Sequence, residues 1–152
     1  MLKDKIKMKG HLVVKTRKLG ENWIVRVNKD NLIVDLGLNL ARDNTFSVQA
    51  NYVQWGAVSD NTTAPVAGDT SLGGNEFRDT FTATSTTTSK QFFCEFYIAA
   101  TEWAGASLTS VSKAGLYYAV TGNYLFNAAS FDPITVDTTI EMIVQWTISE
   151  TG

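Results

Sequence analysis

The chain has 152 residues, 44% of them hydrophobic and 18% charged, a balance that suits one globular domain with a sizeable core and excludes a disordered protein. Cys94 is the only cysteine, so neither an intrachain disulfide nor a cluster of thiolate metal ligands can form within one chain. The net charge of −2 conceals an asymmetry, because residues 1–29 hold nine basic and two acidic residues, whereas residues 30–152 hold four and thirteen. A basic segment followed by an acidic body indicates a segment that meets an acidic surface, on the same chain or on a neighbour.

The first ten residues alternate lysines with other side chains, which predicts an extended N-terminal arm over residues 1–10, followed by a single domain over residues 11–152. Lysines on one side and apolar groups on the other fit a segment that lies on a protein surface. The candidate docking residues in this arm are Lys3, Lys5, Ile6, Lys7, Met8 and Lys9. The segment lacks the apolar core of a signal peptide, and no apolar run reaches membrane-spanning length, so we expect no membrane partner. The acidic body argues against a nucleic-acid partner.

The first half of the chain predicts a hairpin, a helical turn, a strand and a long loop, in that order. Residues 11–17 and 22–28 read as two strands joined across a turn in which Gly20 takes a positive φ. Within residues 31–46, Leu36, Leu38, Leu40 and Ala41 fit one or two helical turns. Residues 52–59 read as a strand, and residues 59–76 are rich in Gly, Pro, Asn, Asp and Thr, which predicts a long surface loop.

The second half is dominated by strand patterns. Residues 77–83 and 91–100 alternate on either side of a polar turn at 85–90, which predicts a long hairpin with Phe92, Cys94, Phe96 and Ile98 on one face. Further strands are expected at 113–120 and 123–131, then Pro133 at the entry to a last strand in which alternate residues from Ile140 to Ile148 are apolar. About eight strands with one short helix predict an all-β fold, an antiparallel β-sandwich or jelly roll.

Few residues suit catalysis or metal binding. His11 is the only histidine, and we interpret it as a surface residue of a strand or arm, while Cys94 lies on an apolar strand face as a buried, inert thiol. Four carboxylates could in principle serve glycoside hydrolysis, but exposed strand positions explain them: Glu76, Asp79, Glu95 and Glu102. Asp60, Asn61 and Asp69 share one loop, yet their spacing is not that of a calcium loop. We therefore expect no catalytic residue, no cofactor and no metal.

Four segments, taken in order, resemble a group of tailed-bacteriophage virion proteins. They are NLIVDLGLNLARD, AVSDNTTAPVAGDTSLGGNEFR, KAGLYYA and LFNAASFDPITVDTTIEMIVQWTIS, which together span residues 31–149. The chain reads AVSDN where similar sequences have a glycine-rich AVGTG, and Lys113 stands where an acidic residue often precedes AGL. The resemblance implies a β-rich oligomer without catalytic activity.

Members of this group serve as capsid decoration (cement) proteins, head fibres, or tail and tail-fibre components. The resemblance implies a decoration protein on the outer capsid surface of the virion, made in the host cytoplasm, that stabilises the head. A tail component, such as an adaptor, a baseplate part or a fibre base, is the alternative. A carbohydrate-binding β-sandwich with exposed Trp55 or Trp103 is a third, minor one.

The expected partners are the major capsid protein or neighbouring virion subunits, together with further copies of this chain. Aromatic residues on both faces of the Phe92–Ile98 strand favour a homodimer or homotrimer, because a soluble domain must cover exposed aromatic groups. Phe93 and Tyr97, on the outer face of that strand, are the candidate interface residues there.

Overall fold

A computed structural model describes residues 7–38, 53–85 and 91–151, and the structural statements below concern those residues. The chain is mostly β, with 58% of residues in strands and 7% in helix, which confirms the all-β prediction. Residues 35–38 are helical, and one five-residue helix, α1, lies later in the chain. The bounds are β1 Lys7–Lys18, β2 Ile24–Ile33, β3 Trp55–Ser59, β4 Glu76–Thr80, β5 Ala83–Ser85, β6 Gln91–Ile98, α1 Glu102–Ala106, β7 Ser110–Tyr117, β8 Leu125–Thr135 and β9 Ile140–Thr151.

The strands form one curled antiparallel sheet, a half-barrel, in the order β4-β3-β7-β8-β2-β1-β9-β6-β5. Its two edge strands, β4 and β5, are separated in sequence only by Phe81 and Thr82. A link of that length spans only about 10 Å, so the two ends of the sheet must lie close together. The Thr82 amide donates to the Glu95 carbonyl at 2.8 Å, and this hydrogen bond holds the two-residue link against β6. The predicted antiparallel pairing of the strands is confirmed.

The longest strands pair at the centre of the sheet. β1 and β9 are in register from Lys7 opposite Thr151 to Lys18 opposite Ile140, and β1 also pairs with β2 through the predicted hairpin. Gly20 has a φ of 81° in the turn, a conformation that glycine adopts without a Cβ penalty, so this part of the prediction is confirmed. The predicted alternation of β9 is also confirmed, because Met142, Val144, Trp146 and Ile148 are all buried.

The main core fills the concave side of the sheet. Its largest members are the fully buried side chains of β6, β9 and α1, including Phe96, Trp146 and Trp103. The Phe96 ring lies against Gly56 of β3, where an added Cβ would sit 2.0 Å from the ring. Glycine at this position therefore lets β6 and β3 approach each other across the interior.

Three details differ from the sequence-based expectation. Residues 76–85 form two strands rather than one, and β4 pairs with β3, so the predicted long hairpin exists only as β5 with β6. Pro133 lies inside β8, in a stretch where the β7 pairing shifts register, and such an irregularity tolerates a residue without an amide N–H. Helix α1 was not expected, because five residues are too few to show a helical period.

Several predicted features fall partly or wholly outside the described residues. Residues 1–6 of the arm, the polar turn at 86–90, and the second half of the predicted helical turn lie there, whereas 35–38 confirm its first half. Residues 7–10, assigned to the arm from sequence, are the first residues of β1 and pair with β9. No helix in the described part of the chain is long and apolar enough to cross a membrane.

Candidate functional site

The loop between β3 and β4, residues 60–75, folds back over the convex face of the sheet. Leu72 in this loop is fully buried although the surrounding residues are mostly polar. It joins a second apolar cluster outside the main core, formed by Val34, Ala57, Leu72, Tyr117, Leu125 and Ala128. The loop predicted from sequence is thus confirmed, and one leucine anchors it to the sheet.

Glu76 and Arg78 form an ion pair within β4, next to the buried Leu72 of the loop. We call Glu76, Arg78, Tyr117 and Leu72 the loop clamp. Arg78 Nη2 donates to Glu76 Oε2 at 2.8 Å, and the two side chains are only 11% and 16% exposed. The guanidinium lies 3.4 Å from the centre of the Tyr117 ring and also donates to the carbonyls of Ala119 and Gly122. Arg78 therefore ties β4 to the segment that follows β7.

The other oxygen of Glu76 completes the clamp. Glu76 Oε1 accepts hydrogen bonds from the Leu72 amide at 2.9 Å and from the Tyr117 hydroxyl. Burial raises the pKa of Tyr117, and its hydrogen bond to Glu76 acts in the same direction, so the phenol remains a proton donor at neutral pH. Both carboxylate oxygens of Glu76 are occupied by donors, an arrangement that stabilises the loop.

The remainder of the loop is held by its own polar side chains. Asn61 Nδ2 donates to the Leu72 carbonyl at 2.7 Å, and the Asn75 amide donates to Asp60 Oδ1 at 2.8 Å. The Val66 amide donates to Asp69 Oδ2 at 2.9 Å. Carboxylate oxygens of Asp60 and Asp69, two of the residues considered as calcium ligands, accept bonds from backbone amides of the loop. Within the described ranges, no three His, Cys, Asp or Glu residues cluster as a metal site.

A second cluster lies on the outer face of the sheet, across β1, β9 and β6. Arg17 donates to Glu141, whose Oε1 also accepts from the Tyr97 hydroxyl at 2.8 Å. Trp23, from the connection before β2, covers both: the Arg17 guanidinium lies 4.4 Å from its ring centre, and Tyr97 meets it edge-on. The hydrogen bond from Arg17, then that from Tyr97, lowers the pKa of Glu141. The cluster fixes the hairpin connection against the sheet.

The structure separates the predicted docking residues. Met8 is half-buried and packs against the chain's own core, whereas Lys9 is exposed on the opposite side of β1. Phe93 and Tyr97 are half-buried on the outer face of β6, where Tyr97 already contacts Trp23. Lys3, Lys5 and Ile6 lie outside the described residues, as does the side chain of Lys7. Through their pairing with β9, Lys9, Phe93 and Tyr97 lie on the same outer face of the sheet, whereas Met8 points to the core.

The four carboxylates considered for hydrolysis do not converge. Glu76 is not an exposed strand residue, because it is half-buried in the loop clamp, and Glu102 lies in α1, where it accepts from the Ala99 amide at 2.7 Å. Glu95 accepts from Gln145 Nε2 at 2.7 Å, and Asp79 accepts from the Thr80 amide at 2.8 Å. Each carboxylate has its own structural partner.

The tryptophans suggested for sugar stacking are also occupied. Trp103 is only 2% exposed and donates from Nε1 to the Ile140 carbonyl at 2.8 Å, so its predicted exposure is wrong. The physical reason is the unexpected helix α1, which points this ring into the main core. Trp55 is half-buried against the second apolar cluster.

Sequence reasoning missed Arg78 and Tyr117 of the clamp and Arg17, Trp23 and Glu141 of the outer cluster. One signal was present for the clamp: Glu76 and Arg78 are two apart in a strand, so their side chains share a face. Leu72 was a second signal, as a lone large apolar residue in a polar loop. The outer cluster joins residues more than a hundred positions apart, and no local pattern indicates that pairing.

We expect the pKa of His11 to lie above 6.5. Its Nδ1 donates to Asp30 Oδ1 at 2.9 Å and its Nε2 donates to Asn28 Oδ1, and these two hydrogen bonds raise its pKa because both need a protonated ring nitrogen. The resulting stabilisation is complete below pH 6.5 and is lost as the pH rises through the folded-state pKa. With one histidine in the chain, an NMR titration of its ring protons measures this directly. Asp30→Asn should return the pKa towards 6.5, and an unchanged value would refute the assigned cause.

Cys94 should not react with thiol reagents in the folded protein. Its side chain is fully buried, and this burial raises the pKa of the thiol to about 12, so the reactive thiolate is scarce at neutral pH. A colorimetric thiol assay should detect no fast reaction in buffer and one equivalent after unfolding in urea. Rapid labelling of the native protein would contradict the burial of this strand face.

Comparison with protein-family models, with curated proteins and with solved structures finds no match for this chain.

Proposed function

We propose that this chain is a structural protein of a tailed-bacteriophage virion, a decoration protein that binds the outer capsid surface and stabilises the head. The proposal rests mainly on one observation: residues from the segments that resemble phage virion proteins lie together in the fold. Glu76 and Arg78 of the EFR segment and Gly115 of the AGL segment all belong to or contact the loop clamp. The resemblance thus rests on residues that interact physically, rather than on scattered matches.

The pairing of three acid–base side chains with residues of opposite charge supports a structural role. Glu76, Glu141 and His11, three groups that could take part in acid–base chemistry, are instead held in pairs with Arg78, Arg17 and Asp30. Such pairs fix the positions of loops and strands. We propose that the protein has no catalytic activity and needs neither a cofactor nor a metal.

The proposed partners are the major capsid protein or neighbouring virion subunits, and further copies of this chain in a dimer or trimer. The half-buried Phe93 and Tyr97 are the residues of β6 open to such a contact. Arm residues such as Lys3, Lys5 and Ile6 remain candidates for reaching a neighbour. The finer architecture predicted from sequence, a sandwich or jelly roll with an extended arm, stays part of this proposal.

The proposal is tested by locating the protein in purified particles. Heads and tails of the phage that encodes it are separated on a gradient, and the chain is quantified in each fraction by mass spectrometry against the major capsid and tail proteins. We expect it in the head fraction at a fixed ratio to the capsid protein. Recovery with tails would support the tail component instead, and absence from both fractions would refute a virion role.

A further inference from the structure

The end of the β1–β2 hairpin carries three exposed apolar side chains. Leu19, Ile24 and Val25 are 57%, 56% and 55% exposed, although β-branched and leucine side chains normally bury most of their surface in a sheet. They are close in sequence and lie at one end of a single hairpin. A group of exposed apolar residues surrounded by polar ones marks a binding surface more often than a random arrangement would.

The same hairpin has an unpaired strand edge. β2 pairs with β1 from Ile24 to Asn31, with a register shift at Arg26, but it pairs with β8 only through Leu32 and Ile33. Among the described residues, positions 24–31 therefore face no strand on the side away from β1, and we call this side the open edge. At this point the Lys29 side chain donates to the Ser130 carbonyl of β8 at 2.6 Å, and no backbone pairing joins the two strands there. An edge of this kind presents backbone donors and acceptors that can bind another strand.

The charges around the open edge decide what can bind there. Lys15, Lys18, Arg26 and Lys29 surround the apolar group, and in the part of the chain that the structure describes none of the four forms an ion pair. The acidic residues nearby are fewer: Asp30 is already bonded to His11, Glu21 lies in the turn, and Asp137 interacts with Lys18, so cations remain in excess along β2. Two copies that met edge to edge would bring two such sets of cations together, which is unfavourable. An acidic segment would instead complete the pairing of both backbone and charge.

We propose that the open edge of β2 binds an extended, acidic segment of a partner protein by strand addition. The backbone of the edge supplies hydrogen bonds, Ile24 and Val25 supply apolar contacts on opposite faces, and the cations select glutamate- or aspartate-rich partners. Binding should weaken with salt because the cations are exposed. The proposal holds for a partner in any part of the virion, so it does not depend on a head location.

The experiment uses the full chain, labelled with ¹⁵N, and a capped heptapeptide in which glutamate alternates with valine. We expect amide shift changes concentrated at residues 24–29, weaker binding at higher salt, and no binding of the matching peptide with lysine in place of glutamate. The charge-reversed variant Arg26→Glu/Lys29→Glu should bind roughly tenfold more weakly, as expected for the loss of two exposed attractions and their replacement by repulsion. Thr62→Glu/Ala104→Glu, which adds negative charge at two exposed positions outside the β1–β2 hairpin, is the control and should bind as the unmodified protein does.

Other results would overturn the proposal. The proposal is wrong if the shift changes are confined to the outer face of β6 and β9, or if the lysine peptide binds equally well. It is also wrong if millimolar peptide causes no shift change. Concentration-dependent shifts at residues 24–29 without any peptide would identify a second copy as the occupant of the edge. A circular dichroism spectrum of each variant checks that the fold is retained.

Discussion

Replacing Arg78 by methionine should lower the free energy of unfolding by about 2–3 kcal/mol, between the cost of losing an exposed ion pair and that of losing a fully buried one. The change leaves the Glu76 carboxylate without its cation, and it also removes donors to the carbonyls of Ala119 and Gly122. Methionine keeps much of the side-chain volume, so the loss reports the charge and its hydrogen bonds rather than a cavity. Urea unfolding followed by tryptophan fluorescence measures it.

The matched control is Arg26→Met on exposed β2, which should change stability by no more than about 0.5 kcal/mol. The double variant Glu76→Gln/Arg78→Met tests the mechanism, since removing both charges leaves no buried carboxylate unpaired and should cost less than Arg78→Met alone. A loss below about 1 kcal/mol for Arg78→Met would place the pair among ordinary surface ion pairs and contradict the clamp.

Gly115→Ala should destabilise the protein by about 1–3 kcal/mol, the usual cost of forcing an extra group into a packed site. A Cβ at this position would lie 2.5 Å from the carbonyl oxygen of Asn127 and 2.8 Å from Leu72 Cδ2. The first contact is with the backbone of the neighbouring strand, which cannot move without disturbing the β7–β8 pairing. Thermal unfolding by calorimetry should show a lower midpoint.

Gly105→Ala is the control for this prediction, because a Cβ there meets nothing within 4 Å and alanine favours the helix in which Gly105 lies. Its midpoint should be unchanged or slightly higher. Combining Gly115→Ala with Leu72→Ala removes the leucine contact but leaves the Asn127 contact, so the variant should not regain stability. Unchanged stability of Gly115→Ala would mean that the loop and β8 do not pack as closely as described.

Local patterns predicted the strands whose two faces differ in burial. β9 alternates apolar and polar residues along its length, and the β1–β2 hairpin has alternating burial in β1 and a glycine in its turn, so each was found from sequence. The faces of β6 were likewise correct, because Cys94, Phe96 and Ile98 are buried while Phe93 and Tyr97 are not. In these strands the alternation of apolar and polar residues in the sequence indicates which face is buried.

Features that depend on contacts between residues far apart in the sequence could not be predicted from local patterns. The break at Phe81 and Thr82 arises because β4 and β5 belong to opposite ends of the sheet, and nothing in the alternating residues records this. Trp103 is buried because α1 turns it towards the core, and a helix of five residues leaves no periodic pattern in the sequence. The clamp needed the pairing of β3 with both β4 and β7, which brings Glu76, Arg78 and Tyr117 together from two separate segments.

The most direct test of the proposed role is binding to phage heads that lack this protein. Purified chain is added to such heads, bound copies are counted by quantitative gel analysis, and the temperature at which the heads release their DNA is measured with a fluorescent dye. The proposed function predicts saturable binding at a fixed number of copies per capsomer and DNA release at a higher temperature. Absence of binding to intact heads, or binding that leaves the release temperature unchanged, would contradict it.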